Sequence, residues 1–582
     1  MHLKRTDIMR KKIVIIGGVA AGPKIACRAR RLMAEAEITM VDMDTLISYG
    51  GCGIPYYVSG DVSDEKELRT TSFHVTRDEH FFENAKGVNV RTATRATRID
   101  RQHKIVHLEE INTGKTDELP YDQLVLATGS RPNILPIPGA DLAGVYTVAD
   151  LHKAMAIKAD LAQGKVGRAV IIGGGAIGIE MAEAFGDLWG VETTILEFMP
   201  QLLPRLVDRT FASMVEKHLR DKGVQVFTSE AAQRLEGDAS GRVCRVVTPQ
   251  RTLEAEIVIM AVGVRPRGEL AMESGLMVSP QGGIVVNERL QTSDPAIYAA
   301  GDCVDIRHLI TGRRGPAPLG SLANREGRVV ADNLAGRPST FKGWIGTFVL
   351  KAFDICVAAT GISLETALSE GFKAAAVITA QSDRAHFFPG QTVMPLQMVF
   401  DRESRRVLGV QGFGPAGNDG VLARIDTAAA LIGRGATIED FSDLEMAYAP
   451  PFATAIDALN ATANVAENLA AGRLRTISPE DFLAWMANLA AQPGWMALDI
   501  RHQSATAGFV EKFGARWLAI PYPEFRPRAH ELPADKTFII ICDAGTRSYE
   551  VQCILDSMSR DSLVLAGGFN CIRRIGADWW PA

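Results

Sequence analysis

Two short glycine-rich turns, at residues 17–22 and 173–178, limit what this chain can become more than any other feature. The first follows Lys12-Ile13-Val14-Ile15-Ile16, an apolar run of the kind that forms a strand buried on both faces of a parallel sheet. The turn reads Gly17-Gly18-Val19-Ala20-Ala21-Gly22. A helix-like stretch through Arg31 then leads to a second strand, Ile38-Thr39-Met40-Val41, ending at Asp42. Gly17 permits the tight turn and Gly22 lets the helix approach the strand. The helix N-terminus then faces a pyrophosphate, and Asp42 can accept from a ribose hydroxyl. Val19 stands where the fingerprint has its middle glycine, so this copy alone specifies less. The second copy is complete: after Arg168-Ala169-Val170-Ile171-Ile172 come Gly173, Gly175 and Gly178, then a strand, Glu192-Thr193-Thr194-Ile195-Leu196, ending at Glu197. A carboxylate there favours the free 2′-hydroxyl of NADH and repels the extra phosphate of NADPH. Phe198, Met199 and Pro200 follow with no adjacent Arg or Lys, so NADH is the expected nucleotide. Either turn alone could be a bland strand–helix junction. Two copies, each with an acid at the right distance, argue against that.

A chain of 582 residues is too long for one core and calls for about three to five domains. Its net charge of −5 leaves nucleic acid without a basic footprint. No apolar run reaches the length of a bilayer-spanning helix. The opening Met1-His2-Leu3-Lys4-Arg5-Thr6-Asp7 has basic residues but no apolar segment after them, so no secretory signal is expected. Eight cysteines are sparse for this length and show no paired metal spacing, which fits a reducing cytoplasm. His74, His80, His103 and His107 are scattered, and no metal is expected.

Two further segments concern a flavin. Ala127-Thr128-Gly129-Ser130-Arg131-Pro132 and Ile297-Tyr298-Ala299-Ala300-Gly301-Asp302 resemble the flavin-contacting motifs of two-dinucleotide-domain flavoproteins, in which the late Asp bonds the ribityl chain. That resemblance implies an FAD domain split by an inserted NADH domain. Cys52 lies in Ser48-Tyr49-Gly50-Gly51-Cys52-Gly53-Ile54-Pro55-Tyr56-Tyr57, and position 57 is not a second cysteine. A Cys-x4-Cys pair would close an internal disulfide. A lone thiol beside a flavin instead holds a mixed disulfide, a persulfide or a sulfenic acid. The bland alternative is a buried small hydrophobe, the usual fate of free cysteine.

With Cys52 in place the chain resembles the pyridine nucleotide–disulfide oxidoreductases, over roughly residues 11–455. Within them it is similar to the single-cysteine branch of coenzyme A disulfide reductases, NADH-dependent persulfide reductases and NADH oxidases. The motifs are the Gly17-Gly18-Val19-Ala20 turn, Ser48-x3-Cys52-Gly-x-Pro-Tyr, and Thr292-Ser293-Asp294-Pro295-Ala296-Ile297-Tyr298. Ala323-Asn324-Arg325-x-Gly327-Arg328 and Tyr448-Ala449-Pro450-Pro451 complete the set. The resemblance implies FAD held by Gly17, Val19, Ala20, Gly22, Asp42, Ala127, Thr128, Gly129, Arg131, Gly301 and Asp302, and NADH held by Gly173, Gly175, Gly178, Glu197 and Gly263. It implies Cys52 as the redox thiol and coenzyme A contacts from Arg31, Ser48, Asn324 and Arg328. Tyr448 would reach the active site from the second subunit of a homodimer. The implied architecture is α/β: an FAD domain in two pieces (1–155 and 269–341), an NADH domain (156–268) and an α+β dimerisation domain (342–455). Two positions depart from the family. Gly51 stands where Asn usually precedes the cysteine, and Phe387-Phe388-Pro389-Gly390 where Tyr-Tyr-Pro-Gly is usual. One amide and one phenol are thereby lost near the sulfur.

After a connecting helix, read from Ala453 to about Gly472 within a 456–474 linker, the pattern restarts. Ser478-Pro479-Glu480-Asp481-Phe482 is helix-like, Trp495 to Arg501 reads Trp-Met-Ala-Leu-Asp-Ile-Arg, and Thr537-Phe538-Ile539-Ile540-Ile541 is a buried strand. It runs directly into Cys542-Asp543-Ala544-Gly545-Thr546-Arg547-Ser548, and Tyr549 to about Ser557 is helical. Loop amides and a helix N-terminus converge on a sulfur so placed and favour an anionic thiolate or persulfide, and Arg547 adds a fixed positive charge. Residues 475–582 resemble a rhodanese domain, which implies an α/β fold and a sulfane sulfur on Cys542. Phosphatase loops have Cys and Arg separated by five residues, against 543–546 here. Cys244, Cys303, Cys356, Cys553 and Cys571 read as packing, and Cys27 as packing or a resolving thiol.

Together these readings lead to NADH-driven, FAD-dependent reduction of a coenzyme A persulfide, polysulfide or coenzyme A disulfide at Cys52, with Cys542 delivering sulfane sulfur. Tethering the donor would raise its effective concentration. A mobile linker would allow direct delivery; a packed domain would require a soluble carrier. The alternatives are an NADH oxidase working through a Cys52 sulfenic acid, a sulfurtransferase with a regulatory flavoprotein part, and a redox-responsive binding protein.

Overall fold

The computed structural model describes residues 10–417 and 420–577. The Met1–Asp7 segment, noted for its lack of a secretory signal, lies outside the described residues. The chain divides into two compact units, Met1–Leu196 with Glu230–Trp344, and Glu197–Ser229 with Ile345–Ala582.

In the first unit the apolar run becomes β1 (Lys12–Ile16), buried at four of its five positions. It lies inside a parallel sheet, between Glu37–Val41 and Gln123–Leu126, with Asn89–Arg91 and Ile297–Ala299 at the edges. The helix after the first turn is α1 (Ala21–Leu32), and a short α2 (Ile54–Ser59) follows Cys52. β2 (Arg168–Ile172) pairs in parallel with Glu192–Leu196 and Ile257–Met260, and leads into α3 (Ala176–Gly186). Because Ile297–Ala299 returns to the sheet of β1, the second fold is inserted within the first. The last long helix, α4 (Gly320–Leu334), lies on α1. Small side chains make that approach close: a Cβ on Gly327 would stand 3.1 Å from the Ala21 carbonyl oxygen.

The second unit holds two sheets. The antiparallel one runs Phe348–Ala352, Ile355–Gly361, Val407–Pro415, Val393–Asp401 and finally β3 (Ala374–Ser382), which is an edge strand. The connecting helix, α5 (Ala458–Ala470), begins later than its composition suggests, because Asp457 caps it by accepting from the Leu459 N–H. Beyond it lies a parallel sheet ordered Thr476–Ile477, Ser562–Leu565, β4 (Thr537–Ile541), Trp495–Asp499 and Trp517–Ala519, flanked by α6 (Thr546–Ser557) and α7 (Gly568–Ile575). β4 is all but continuously buried, as its run of isoleucines requires. Among the described residues no helix is long and apolar enough to cross a membrane.

Candidate functional site

Both glycine turns close in the same way. Gly17 and Gly173 take φ of +112° and +113°, a region that favours glycine. A Cβ on Gly17 would lie 2.0 Å from the Ala127 carbonyl oxygen, and one on Gly173 2.4 Å from that of Ala261. A Cβ on Gly22 or Gly178 would fall 1.8 or 2.0 Å from the carbonyl oxygen of Gly17 or Gly173, so each helix start presses on its own turn. At Gly175 a Cβ would meet nothing within 4 Å. The middle of the turn therefore opens onto free space, where a pyrophosphate sits in such folds.

Asp42 is fixed where the first turn needs it: Oδ2 accepts from the Gly18 N–H at 2.6 Å and Oδ1 from that of Asp44 at 2.8 Å. Burial nevertheless pushes its carboxyl up. The late flavin motif meets the same turn, since a Cβ on Gly301 would stand 3.3 Å from that of Ala21. Asp302 accepts from the Ser130 hydroxyl at 3.0 Å, and Gly301 donates to Glu326 Oε2 at 2.6 Å. Ser130–Pro132 pairs antiparallel with Val264–Pro266, which sets Gly129 beside Arg267 at one end of the ladder and Gly263 beside Asn133 at the other; the Thr128 hydroxyl donates to the Arg267 carbonyl at 2.7 Å. Arg131 pairs with Glu269 at 2.7 Å. Glu197, the first residue of the second unit, accepts from the Met199 N–H at 2.7 Å.

Cys52 sits on a tight turn, Gly51–Gly53, just ahead of α2, and is exposed rather than part of a core. α2 packs on α3, so the thiol stands by the helix of the second nucleotide fold. Desolvation pushes the thiol up, and the Glu180 and Asp302 carboxyls add to it, while the cysteine's own N–H works the other way. Glu180, on α3, is itself pushed up to about 7 by burial and then by Glu183. A favourable influence comes from α4: a Cβ on its first residue, Gly320, would lie 3.8 Å from Cys52 Sγ, so the positive end of a long helix faces the sulfur. Sequence reasoning found neither Glu180 nor Gly320, since only the folded chain brings them to Cys52.

Gly320, Asn324 and Arg328 recur at helical spacing and share one face of α4, the last two exposed. The Asn324 amide donates to the Gly320 carbonyl at 2.8 Å. Arg28 of α1 pairs with Asp332 of α4 at 2.5 Å, placing the exposed Arg31 and Arg328 each one turn from a common ion pair. Ser48 is 3% exposed, and its N–H donates to the Gly18 carbonyl at 2.7 Å. Cys27, on α1, is pushed up by burial despite Lys86, Arg31, Lys24 and Arg77 nearby, which fits packing better than thiol chemistry. In the second unit Tyr448 is 52% and Phe387 68% exposed, and the Ala385 N–H donates to the Pro450 carbonyl at 3.2 Å, tying the Phe387-Phe388 loop to the Tyr448 segment.

Cys542 directly follows β4 and is 1% exposed. Its sulfur accepts the Gly545 N–H at 3.0 Å, Gly545 taking φ of +92° to aim it. Arg547, read from the sequence as a fixed positive charge, is paired with the Asp543 carboxylate of the same loop, so its charge is shared. The loop rests on a buried support: Asp499 and Arg501 form an ion pair at 2.7 Å, both almost wholly buried, and the guanidinium lies 3.6 Å from the Phe569 ring centroid. Phe569 N–H in turn donates to the Cys542 carbonyl at 2.8 Å. Among the described residues no group of three or more His, Cys, Asp or Glu could hold a metal ion.

Residues 11–321 match the family described as pyridine nucleotide-disulphide oxidoreductase, and residues 348–459 its dimerisation domain. The NAD(P)H coenzyme A polysulfide/persulfide reductase of Pyrococcus horikoshii is 37% identical over 457 residues, 78% of this chain and 98% of that protein. An NADH oxidase of Methanocaldococcus jannaschii is 32% identical over 443 residues, 76% and 95% of the two chains. The structure of an NAD-dependent persulfide reductase from A. fulgidus matches with a TM-score of 0.90 at 37% identity, across 96% of this chain and 99% of its own. That cover leaves too few residues to omit the C-terminal parallel sheet.

Proposed function

The chain belongs to the pyridine nucleotide-disulphide oxidoreductases, and from that premise we propose that it reduces a coenzyme A persulfide or a related polysulfide or disulfide at Cys52, supplied with sulfane sulfur by Cys542. FAD and NADH are the cofactors of this family. The first cradle, with Gly17, Gly22, Asp42 and Asp302, fits FAD, and the second, with Gly173, Gly175 and Gly178, fits NADH, each with a turn whose glycines admit no Cβ or leave open space. Bound there, the pair supplies the two electrons that the sulfur chemistry consumes.

The observation that carries the substrate is the face of α4. It starts at the Cys52 sulfur and runs past Asn324 to Arg328, about 12 Å along the helix axis. A long thiol with phosphates at its far end suits that face, with Arg31 and Arg328 at the phosphates. The Cys52 thiolate attacks the inner sulfur of the persulfide R–S–S–H. The S–S bond breaks, hydrosulfide leaves, and Cys52–S–S–R remains. Two electrons and two protons return it to Cys52–SH and R–SH. By resemblance, residues 475–582 form a rhodanese-like domain whose Cys542 carries the sulfane atom, steadied by the Gly545 N–H. Residues 342–455 would pair two copies of the chain, a role supported by the exposed Phe387, Tyr448 and Phe452, with Tyr448 reaching the partner's site.

The test is anaerobic NADH oxidation and sulfide release with coenzyme A persulfide, comparing the wild type with Cys52→Ser. Fast sulfide release that disappears in the variant supports the reductase. Slow release, with rapid NADH oxidation once air is admitted, replaces it with the oxidase reading that the Methanocaldococcus relative favours. The C-terminal sulfur loop has no task in that second reaction.

A further inference from the structure

The residue after Cys542 is an acid, and the fold fixes it in the sulfur loop. The Asp543 carbonyl accepts the Asn570 N–H at 3.0 Å, and a Cβ on Gly568 would lie 2.6 Å from the carbonyl oxygens of both Cys542 and Asp543. The start of α7 therefore clamps the backbone on either side of the Cys542–Asp543 peptide. The Asp543 carboxylate forms an ion pair with Arg547, in the first turn of α6. Gly545, between them, donates its N–H to the Cys542 sulfur at 3.0 Å. The loop thus holds its sulfur with a backbone dipole, while the one guanidinium of residues 542–548 is already engaged.

Charge is matched just outside the loop as well. Arg526 and Arg547 both lie near the Tyr522 phenol, whose hydroxyl donates to Glu550, one turn on from Arg547. Two guanidiniums thereby stand with two carboxylates, Asp543 and Glu550. The Asp543–Arg547 pair is half-exposed on both sides, so it adds little to stability. Its weight falls on what approaches Cys542. Thiosulfate is a dianion whose sulfonate needs a guanidinium. To take Arg547 it must displace Asp543, which leaves that carboxylate unpaired beside two more negative charges and the Cys542 thiolate. A persulfide R–S–S–H presents a neutral sulfur end and makes no claim on Arg547. Selectivity is built by a group that repels the wrong partner as much as by contacts to the right one.

We infer that Asp543 selects the sulfur donor of the Cys542 loop, admitting thiol persulfides and disfavouring sulfonate-bearing donors such as thiosulfate. The inference rests on the proposed sulfur-carrying role of Cys542. With the favoured donor, the Cys542 thiolate attacks the outer sulfur of R–S–S–H, the S–S bond breaks, R–S⁻ departs and Cys542–S–S–H forms. No outside oxidant or reductant enters, because the sulfane atom carries its oxidation level across. With thiosulfate the same thiolate takes the outer sulfur and sulfite leaves. Asp543 is a specificity residue, with no proton or electron of its own in either step.

To test this, the full-length, FAD-loaded protein is given thiosulfate or glutathione persulfide without NADH or oxygen, then freed of donor by gel filtration. Cyanide captures the bound sulfur as thiocyanate, and the part missing in Cys542→Ser is the sulfur on Cys542. Expected is faster loading from the persulfide, with Asp543→Asn raising the thiosulfate rate about tenfold or more and the persulfide rate less than about threefold. Asp543→Glu keeps the charge and should keep the wild-type preference. In the wild type, raising salt from about 0.05 M to about 0.5 M should speed loading from thiosulfate more than from persulfide, a readout that needs no variant. Equal loading from both donors, or a donor ratio that neither Asp543→Asn nor salt moves, overturns the inference and leaves the sulfur-carrying role standing. Sulfur on Cys542 from neither donor overturns that role, and the inference with it.

Discussion

Cys52 and Cys542 both stand just ahead of a helix, yet their surroundings treat a thiolate in opposite ways. The Cys542 sulfur is buried under an N–H from its own loop, three residues away in sequence. Cys52 is exposed between two glycines, and its thiol is pushed up by desolvation, Glu180 and Asp302, residues drawn from the two nucleotide folds. The local site carries its anion stabilisation with it. The assembled site depends on what completes it: the start of α4, the cofactors and, by proposal, the partner's Tyr448. A thiol that must fire only when reductant is present is better served by the second arrangement, and one that stores sulfur by the first.

The sharpest way to break this comparison is to remove each sulfur. Cys52→Ser should lower sulfide release from coenzyme A persulfide about a thousandfold or more while leaving thiocyanate formation at Cys542 intact, and Cys542→Ser should do the reverse. Loss of both activities in either variant would mean one site, not two. Next in size, Arg501→Met strands the buried Asp499 carboxylate and should cost about 3–5 kcal/mol in the C-terminal domain, read as an earlier thermal transition with thiocyanate formation lost first. An unchanged transition would show that the ion pair does not support the Cys542 loop.

Smaller effects sharpen the Cys52 side. Burial pushes the Glu180 carboxyl up to about 7, so as pH rises through neutrality a carboxylate grows beside the thiol and opposes its ionisation. Glu180→Gln removes that charge, and the pH midpoint for alkylation of Cys52 should move down by roughly half a unit. A midpoint that stays put or rises contradicts this. Smallest is Gly51→Asn: a Cβ there meets nothing within 4 Å, so the change should alter stability by less than about 0.5 kcal/mol. Any further lowering of the alkylation midpoint would measure what the missing amide is worth.

The two nucleotide turns were legible because their glycines are dictated by backbone oxygens, Ala127 and Ala261, that every such turn brings close. The Cys542 loop was legible for the same local reason. Glu180 was not, because nothing in a glutamate two residues past Gly178 says that α2 will pack on α3. The Asp543–Arg547 pair had a sequence signal, opposite charges four apart, that the reading of Arg547 as a fixed positive charge for the sulfur passed over. The start of α5 was missed by a few residues although Asp457 is a good cap, because the apolar, alanine-rich composition runs on before it. The docking of the C-terminal domain on the edge strand β3, where the Gly567 N–H donates to the Ile378 carbonyl at 2.9 Å, has no motif at all; it is a property of an edge and a surface.

That docking also sets the terms for cutting the chain. β3 is nine residues long and mostly apolar or small. Truncation near residue 472 would remove the C-terminal sheet and leave this strand able to pair with its like on another molecule. The shortened protein should stay folded around its flavin cradle yet precipitate on concentration, so the C-terminal domain doubles as the flavoprotein's safeguard against aggregation.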